Sequence, residues 1–424
     1  MVDDRQTAAP AAIRLLVIQF GDYRQALWAR EHQQPETYRA QYYSMACFEK
    51  LLQRGQGLIV CLDTEPYEET WHNFRLVGGR FIPPGGGWGY LRHVWLASRR
   101  LIQLAQTFAP THLIIRTPAW PMLMVGRWAL RQQIPVLPLF ADYFYTGTLK
   151  TRLKNLPLIR LLNHPAIPLV ANHNYPACTS MVQAGVAAAK VVPYDWPASR
   201  HPREMPAKDL ARSGGPYRLC YAGQLSHPKG VGDLLEAVAQ LHREGPEVDL
   251  DLFGDGPDRA ELQELARRLG LEARVRFHGL TANEKVLAAM RAAQLVVVPS
   301  RHQYPEGIPC VIYEALEVRT PVVLSDHPSF RPKFQPGQGC LMFRAGDAAQ
   351  LAHRLREALT QPELYGHLSQ GTAAAWEAIQ CPVTFGQLLD DWVAYTQGQG
   401  ELTCRQFTLA LGQPAVLASP GAPA

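Results

Sequence analysis

Apolar and polar positions alternate along this chain in two successive blocks. In the first, Ile13 to Phe20 is a largely apolar run stopped by Gly21, the pattern of a strand buried on both faces. Leu58 to Leu62, His112 to Arg116, Pro135 to Phe140, Ile167 to Ala171 and Lys190 to Pro193 predict further strands. Between them Tyr90 to Phe108 and Met122 to Gln132 have helical spacing. A polar stretch containing Pro and Gly, Trp196 to Pro216, predicts a linker. The pattern then restarts at Arg218 to Ala222. It continues with a helix over Gly232–His242, a strand over Val248–Phe253 and a helix over Arg259–Leu269. Strand Leu295–Val298, helix Cys310–Glu317 and strand Thr320–Leu324 follow. Strands and helices in strict alternation imply parallel sheets covered by helices on both faces. Pro382 to Gln397 predicts one more helix, and residues 401–424, poor in charge and rich in Ala and Pro, predict a largely disordered tail.

Composition agrees with a globular protein of two or three domains: 424 residues, 47% hydrophobic and 19% charged. No apolar run approaches the roughly 20 residues that cross a bilayer. The first residues lack the basic region and apolar core of a signal peptide. The eight cysteines form no CxxC pair and no metal spacing, and several lie in apolar elements (Cys61, Cys220, Cys310), as buried thiols do. A reducing cytoplasm is the expected compartment. Asp249-Leu250-Asp251 is spelled like a metal-binding triplet. Strand alternation, however, puts Val248, Leu250 and Leu252 on one face and both acids on the other, which reads as structural.

Charge is unevenly placed. Residues 1–212 hold 24 Lys+Arg against 14 Asp+Glu, and the remainder 18 against 23, so +10 and −5 combine into the net +5. Residues 70–194 carry thirteen basic side chains and a single acid, Asp142. This reads either as a solvated basic face or as attraction to an anionic surface or substrate. Thr148 to His164 interleaves Lys150, Arg152, Lys154 and Arg160 with leucines, a mixture suited to an interfacial segment on anionic lipid. Pro157 is expected to interrupt any single helix there. The basic residues form no nucleic-acid-binding motif, so nucleic acid is not an expected partner.

The sharpest chemistry lies in Ser300 to Leu324, where Glu306 and Glu314 stand eight residues apart around Gly307-Ile308-Pro309. One carboxylate projects from a loop, the other from the following helix, and the first N–H groups of that helix lie between them. Two acceptors flanking a donor-rich helix start suit a sugar attached to phosphate.

This segment resembles the retaining glycosyltransferases of family 4, whose mark is a Glu, seven residues and a second Glu. Three further motifs stand in the family's order: Tyr221-Ala222-Gly223-Gln224-Leu225 with Lys229-Gly230, then Leu252-Phe253-Gly254-Asp255-Gly256-Pro257, then Val275 to Gly279. The resemblance is strong over about residues 217–360 and architectural before that. It implies the α/β GT-B fold, with two Rossmann-like, doubly wound parallel-sheet domains facing a central cleft. The expected boundaries are 1–212 for an acceptor-side domain, 213–380 for a nucleotide-sugar domain, and 381–400 for a helix crossing back, with the tail after it.

Carried over by the resemblance, Lys229 binds the donor diphosphate and Glu306 contacts the donor sugar and steadies positive charge at its anomeric carbon. Glu314 accepts the ribose hydroxyls, and main-chain N–H groups of Ile308, Cys310 and Val311 meet sugar or phosphate. Leu280 faces the base, while Gly223, Gln224, Gly254 and Gly21 complete the expected donor contacts. Asp142 is the expected acceptor-side acid, with a turn or helix-cap role as the plain alternative. His173 is a weaker candidate, and the glycine run Pro83 to Gly89 suggests a loop at the acceptor cleft. Gln224 stands where the family normally has Arg, and Pro309, without an N–H, where it usually has Gly.

The expectation is thus a retaining, metal-independent glycosyltransferase with no cofactor beyond its nucleotide-sugar. Its acceptor would be a glycan or lipid-linked hydroxyl, met at the inner face of a membrane. An epimerase or phosphorylase of the same fold, and a non-catalytic nucleotide-sugar-binding subunit, are the alternatives.

Overall fold

The computed structural model describes residues 12–34, 36, 40–53, 55–82, 88–144, 148–198, 200–210 and 216–411. The glycine run at 83–87 and residues 412–424 of the tail lie outside the described residues.

The first block folds in chain order as β1 (Arg14–Gln19), α1 (Tyr23–Glu31), α2 (Gln41–Leu51), β2 (Gln56–Cys61), β3 (Asp63–Trp71) and β4 (Phe74–Arg80). It continues with α3 (Trp88–Phe108), β5 (His112–Ile115), α4 (Trp120–Arg131), β6 (Val136–Phe140), α5 (Leu149–Leu162), β7 (Val170–His173), α6 (Tyr175–Ala184) and β8 (Val191–Tyr194). The strands form one sheet in the order β3-β4-β2-β1-β5-β6-β7-β8. Among the described residues the β3–β4 hairpin is its one antiparallel pair. Sequence reasoning missed this hairpin because Glu65, Glu68 and Glu69 make β3 too polar for a buried strand. It lies at the sheet edge, where charge discourages further pairing, and Arg75 and Arg80 of β4 meet Glu68 and Glu65.

The second block runs β9 (Tyr217–Ala222), α7 (Val231–Glu244), β10 (Val248–Phe253), α8 (Arg259–Arg268), β11 (Val275–Gly279), α9 (Asn283–Ala292) and β12 (Leu295–Val298). Then come α10 (Cys310–Glu317), β13 (Val322–Ser325), β14 (Cys340–Phe343), α11 (Ala348–Thr360) and α12 (Pro362–Ile379). Its sheet is wholly parallel, in the order β11-β10-β9-β12-β13-β14. The chain starts in the middle and winds outward both ways, so the order reverses between β9 and β12. In the first sheet the reversal falls between β1 and β5. Loops diverge at such points and leave crevices at the carboxyl ends of the strands.

α13 (Phe385–Thr396) returns to the first sheet. A capping box of Thr384 and Gln387 starts it, and Phe385, Leu388, Leu389 and Trp392 are buried with Leu15, Val17 and Phe48. Burying such side chains contributes roughly 1.5–3 kcal/mol each, which fastens this helix to the first core.

Two expectations are corrected. α5 runs unbroken through Pro157, because Ile159, Leu161 and Leu162 in its last turns are buried and hold the helix across the missing N–H. Residues 402–411 are ordered by packing: Leu402 and Cys404 join the first core, and Asp391 accepts from the Cys404 N–H at 2.7 Å. The triplet acids behave as structural groups. Asp249 pairs with Arg274 and Arg276, and Asp251 with His278 at 2.7 Å.

Candidate active site

A cavity of about 410 Å³ opens at the carboxyl edge of the second sheet, beside its switch point. Gly223, Gln224, Lys229, Gly254, Leu280, Cys310, Val311 and Glu314 all line it, so one site gathers eight of the residues singled out by sequence. Its shape depends on close backbone approach. Gly254 has φ +120°, and a Cβ there would stand 2.0 Å from the Gly223 carbonyl oxygen. Its N–H donates to the Gly279 carbonyl at 2.9 Å, tying the ends of β10 and β11 together. Gly230, at φ +72°, opens α7 where a Cβ would meet the Pro299 carbonyl oxygen at 2.0 Å.

Lys229 forms an ion pair with the Glu306 carboxylate, and its ammonium lies 4.3 Å from the centroid of the Tyr304 ring. The other Glu306 oxygen accepts from the Ser300 hydroxyl, and Ser329 donates to the Glu306 carbonyl. Glu306 is buried and lies behind Lys229, outside the residues that line the cavity. The structure therefore joins the two groups that the resemblance had placed on different parts of the donor.

Glu314 is also buried, on α10, and its Oε1 accepts from the Asn283 amide at 2.7 Å. The first turn of α10 supplies the adjacent wall with Cys310 and Val311, and a helix start of this kind favours an anion. Ile308 is buried, and its carbonyl accepts from the Asn174 amide of the first block at 3.2 Å. A second bridge runs from the Asn283 N–H to the Glu36 carbonyl at 3.0 Å. Leu280 is 82% exposed at the cavity rim.

The first-block candidates fall elsewhere. Asp142, just after β6, faces a cavity of about 390 Å³ with Thr117, Trp120 and Leu158, and burial pushes its carboxyl up to about 6. Its backbone is pinned at both ends by Asn172, whose Oδ1 accepts from the Asp142 N–H at 3.2 Å and whose amide donates to its carbonyl at 2.8 Å. Gly21, just after β1, belongs to a cavity of about 750 Å³ on the other side of Phe20. Neither lines the second-sheet cavity. His173 is buried, 3.1 Å from Asp195 and packed on Trp196. Asn283, Ser300 and Tyr304 were missed by sequence reasoning. Ser300 sits in the motif segment and was within reach, whereas nothing local marks Asn283.

Residues 203–374, most of the second block, match the family model described as Glycosyl transferases group 1. Alpha-D-kanosaminyltransferase of Streptomyces kanamyceticus is 29% identical over 155 residues, 37% of this chain and 39% of that protein. Glycogen synthase of Mycobacterium tuberculosis is 31% identical over 184 residues, 43% of this chain and 40% of that one. The chain thus matches about two-fifths of the length of these curated relatives. Among solved structures, HepE of Anabaena in complex with UDP superposes with a TM-score of 0.61 at 17% identity, covering 92% of this chain and 100% of that one. The fold is GT-B, two parallel-sheet α/β domains.

Proposed function

We propose that this chain is a retaining glycosyltransferase that moves a sugar from a nucleotide-sugar to a hydroxyl acceptor. The observation that carries the reading is the cavity at the β9–β12 switch point, with Lys229, buried Glu314 and the start of α10 around one space. In this reading Glu314, held by Asn283, accepts the ribose hydroxyls, and Leu280 covers the base. The diphosphate lies between Lys229 and the α10 N-terminus, which supply its positive surroundings without a metal ion. Glu306 positions Lys229 from behind the cavity wall and through it the diphosphate. Front-face displacement follows: the leaving diphosphate oxygen takes the acceptor proton while the new glycosidic bond forms on the same face. The protein contributes positioning and electrostatics, and closure of the two domains excludes water. The UDP bound to HepE makes a uridine nucleotide the first donor class to test.

For the acceptor side, we infer contact with an anionic membrane bearing a lipid-linked acceptor. Helices α3, α4 and α5 contain no Asp or Glu and nine Lys or Arg. Leu91, Trp95, Leu96, Met124, Leu153 and Leu156 on the same helices are exposed. Among the described residues no helix is long and apolar enough to cross a membrane.

Thermal unfolding with UDP, GDP, ADP and CMP tests the donor site. One nucleotide should stabilise by roughly 2.7 kcal/mol at about 100 times its dissociation constant, and Glu314→Ala should cut that shift to roughly 0.4–1.4 kcal/mol at the same concentration. No shift with any of them would remove the proposal.

A further inference from the structure

The first sheet has its own switch point, between β1 and β5, and the 750 Å³ cavity there has no part in the donor site. Arg116 stands immediately after β5 and lines it. Its Nη1 donates to Gln19 Oε1 at 2.9 Å, and its guanidinium lies 5.8 Å and 5.5 Å from the ring centroids of Phe48 and Phe385. Both rings are fully buried, so they fix the guanidinium without neutralising it. The cavity's two acids, Asp22 and Glu69, are both engaged by Arg24, at 3.2 Å and 3.1 Å. Among the described residues Arg116 has no ion pair. A partly buried, pre-oriented guanidinium lacking a carboxylate is built to receive a planar or tetrahedral oxyanion through two parallel N–H bonds. Trp28 and Trp71 supply flat apolar walls and Gln25 an amide, the mixture that suits a pyranose ring.

We propose that this cavity binds a sugar carrying an oxyanion, a carboxylate or a phosphate, and that Arg116 reads that group. Only the sugar's role as acceptor rests on the glycosyltransferase reading; its binding does not.

Titration calorimetry on the 424-residue chain, alone and with saturating UDP, tests it with methyl glucuronide, glucose 6-phosphate and methyl glucoside. At least one anionic sugar should bind roughly tenfold or more tighter than the neutral one. Preference for the glucuronide identifies a carboxylate, and preference for the phosphate ester a phosphate. Arg116→Gln should erase the preference while UDP binding persists, which also shows that the variant is folded. Should that variant unfold, protection of Arg116 from phenylglyoxal by the bound sugar, read by peptide mass, reports the same contact in the unaltered protein. Equal affinity for all three sugars, an undiminished preference in Arg116→Gln, or full modification of Arg116 beneath bound sugar would overturn the assignment. Failure of UDP to bind while the anionic sugar does would count against the donor reading alone.

Discussion

The ammonium of Lys229 is ion-paired with the Glu306 carboxylate while it rests against the face of Tyr304. In the proposed reaction this cation meets the diphosphate, so an incoming diphosphate would compete with Glu306 or share the lysine with it. Both partners are largely shielded, with side chains 12% and 6% exposed. Removing one leaves the other uncompensated. Lys229→Ala should therefore lose about 3 kcal/mol in urea unfolding, since breaking one side of a buried pair typically costs that much. It should also lower sugar transfer about 10²–10³-fold, the range for losing one preorganised donor at developing charge. The double variant Lys229→Met, Glu306→Gln should regain stability but not activity. A single variant as stable and active as the parent protein would show that the pair is incidental.

Glu314 and Asn283 form the second pair at the site, at 2.7 Å. Glu314→Ala should weaken nucleotide binding ten- to hundredfold, the value of hydrogen bonds to a charged group. Asn283→Ala leaves the carboxylate in place but frees its orientation, so its loss should be smaller, about threefold to tenfold. Calorimetry with the nucleotide that stabilises the protein orders the two. A larger loss in Asn283→Ala would place the nucleotide against α9 instead.

The second block was legible in the sequence because its signals are local. The buried strands Val248–Phe253 and Leu295–Val298 and the helix Cys310–Glu317 match the structure residue for residue. The glycines at 223 and 254 stand out in the spelling because their backbones approach closely at the cavity, where a Cβ on Gly254 would meet the Gly223 carbonyl. Partnerships did not read out. Glu306 with Lys229 spans 77 positions and Glu314 with Asn283 spans 31, and no pattern in one sequence encodes which side chains meet. The acidic β3 hides its strand character because edge position, not apolarity, keeps it in the sheet. Pro157 misled because local preference pointed one way and three buried side chains behind it pointed the other.

Asp142 gives a pH dependence whose sign is fixed by its environment. Its folded value of about 6 lies above the usual 3.8, so the folded protein holds the proton more tightly than the unfolded chain. The stabilisation is full below about pH 4 and is lost as pH rises toward 6. His112, lowered by burial to about 4, works in the opposite direction and loses stability as pH falls below its usual 6.5. That contribution is common to the parent protein and Asp142→Asn, and cancels in their difference. The variant's stability relative to the parent should rise by about 2 kcal/mol between pH 4.5 and pH 7.5. Denaturant titrations at the two values measure it. A flat difference would mean that the carboxylate is solvated at neutral pH.

The helices α3 to α5 make the membrane reading testable without any substrate. Their exposed apolar residues lie among cations, with the Arg99 guanidinium 4.7 Å from the Trp95 ring centroid. Each Lys or Arg near an anionic bilayer contributes about 1 kcal/mol at physiological salt, and buried apolar side chains add to it. The protein should therefore float with phosphatidylserine vesicles at low salt and be released as screening increases. Trp95→Glu and Leu153→Glu each exchange an inserting side chain for a repelling charge, and should lower vesicle binding about tenfold or more. Both positions are solvent-exposed, at 53% and 61%, so folding stability should stay within about 0.5 kcal/mol. Binding that disappears in salt but is indifferent to both substitutions would mean a purely electrostatic contact, with the apolar residues facing another partner. No binding to anionic vesicles at low salt would leave the basic face as a solvated surface and remove the lipid-linked acceptor from the proposed reaction.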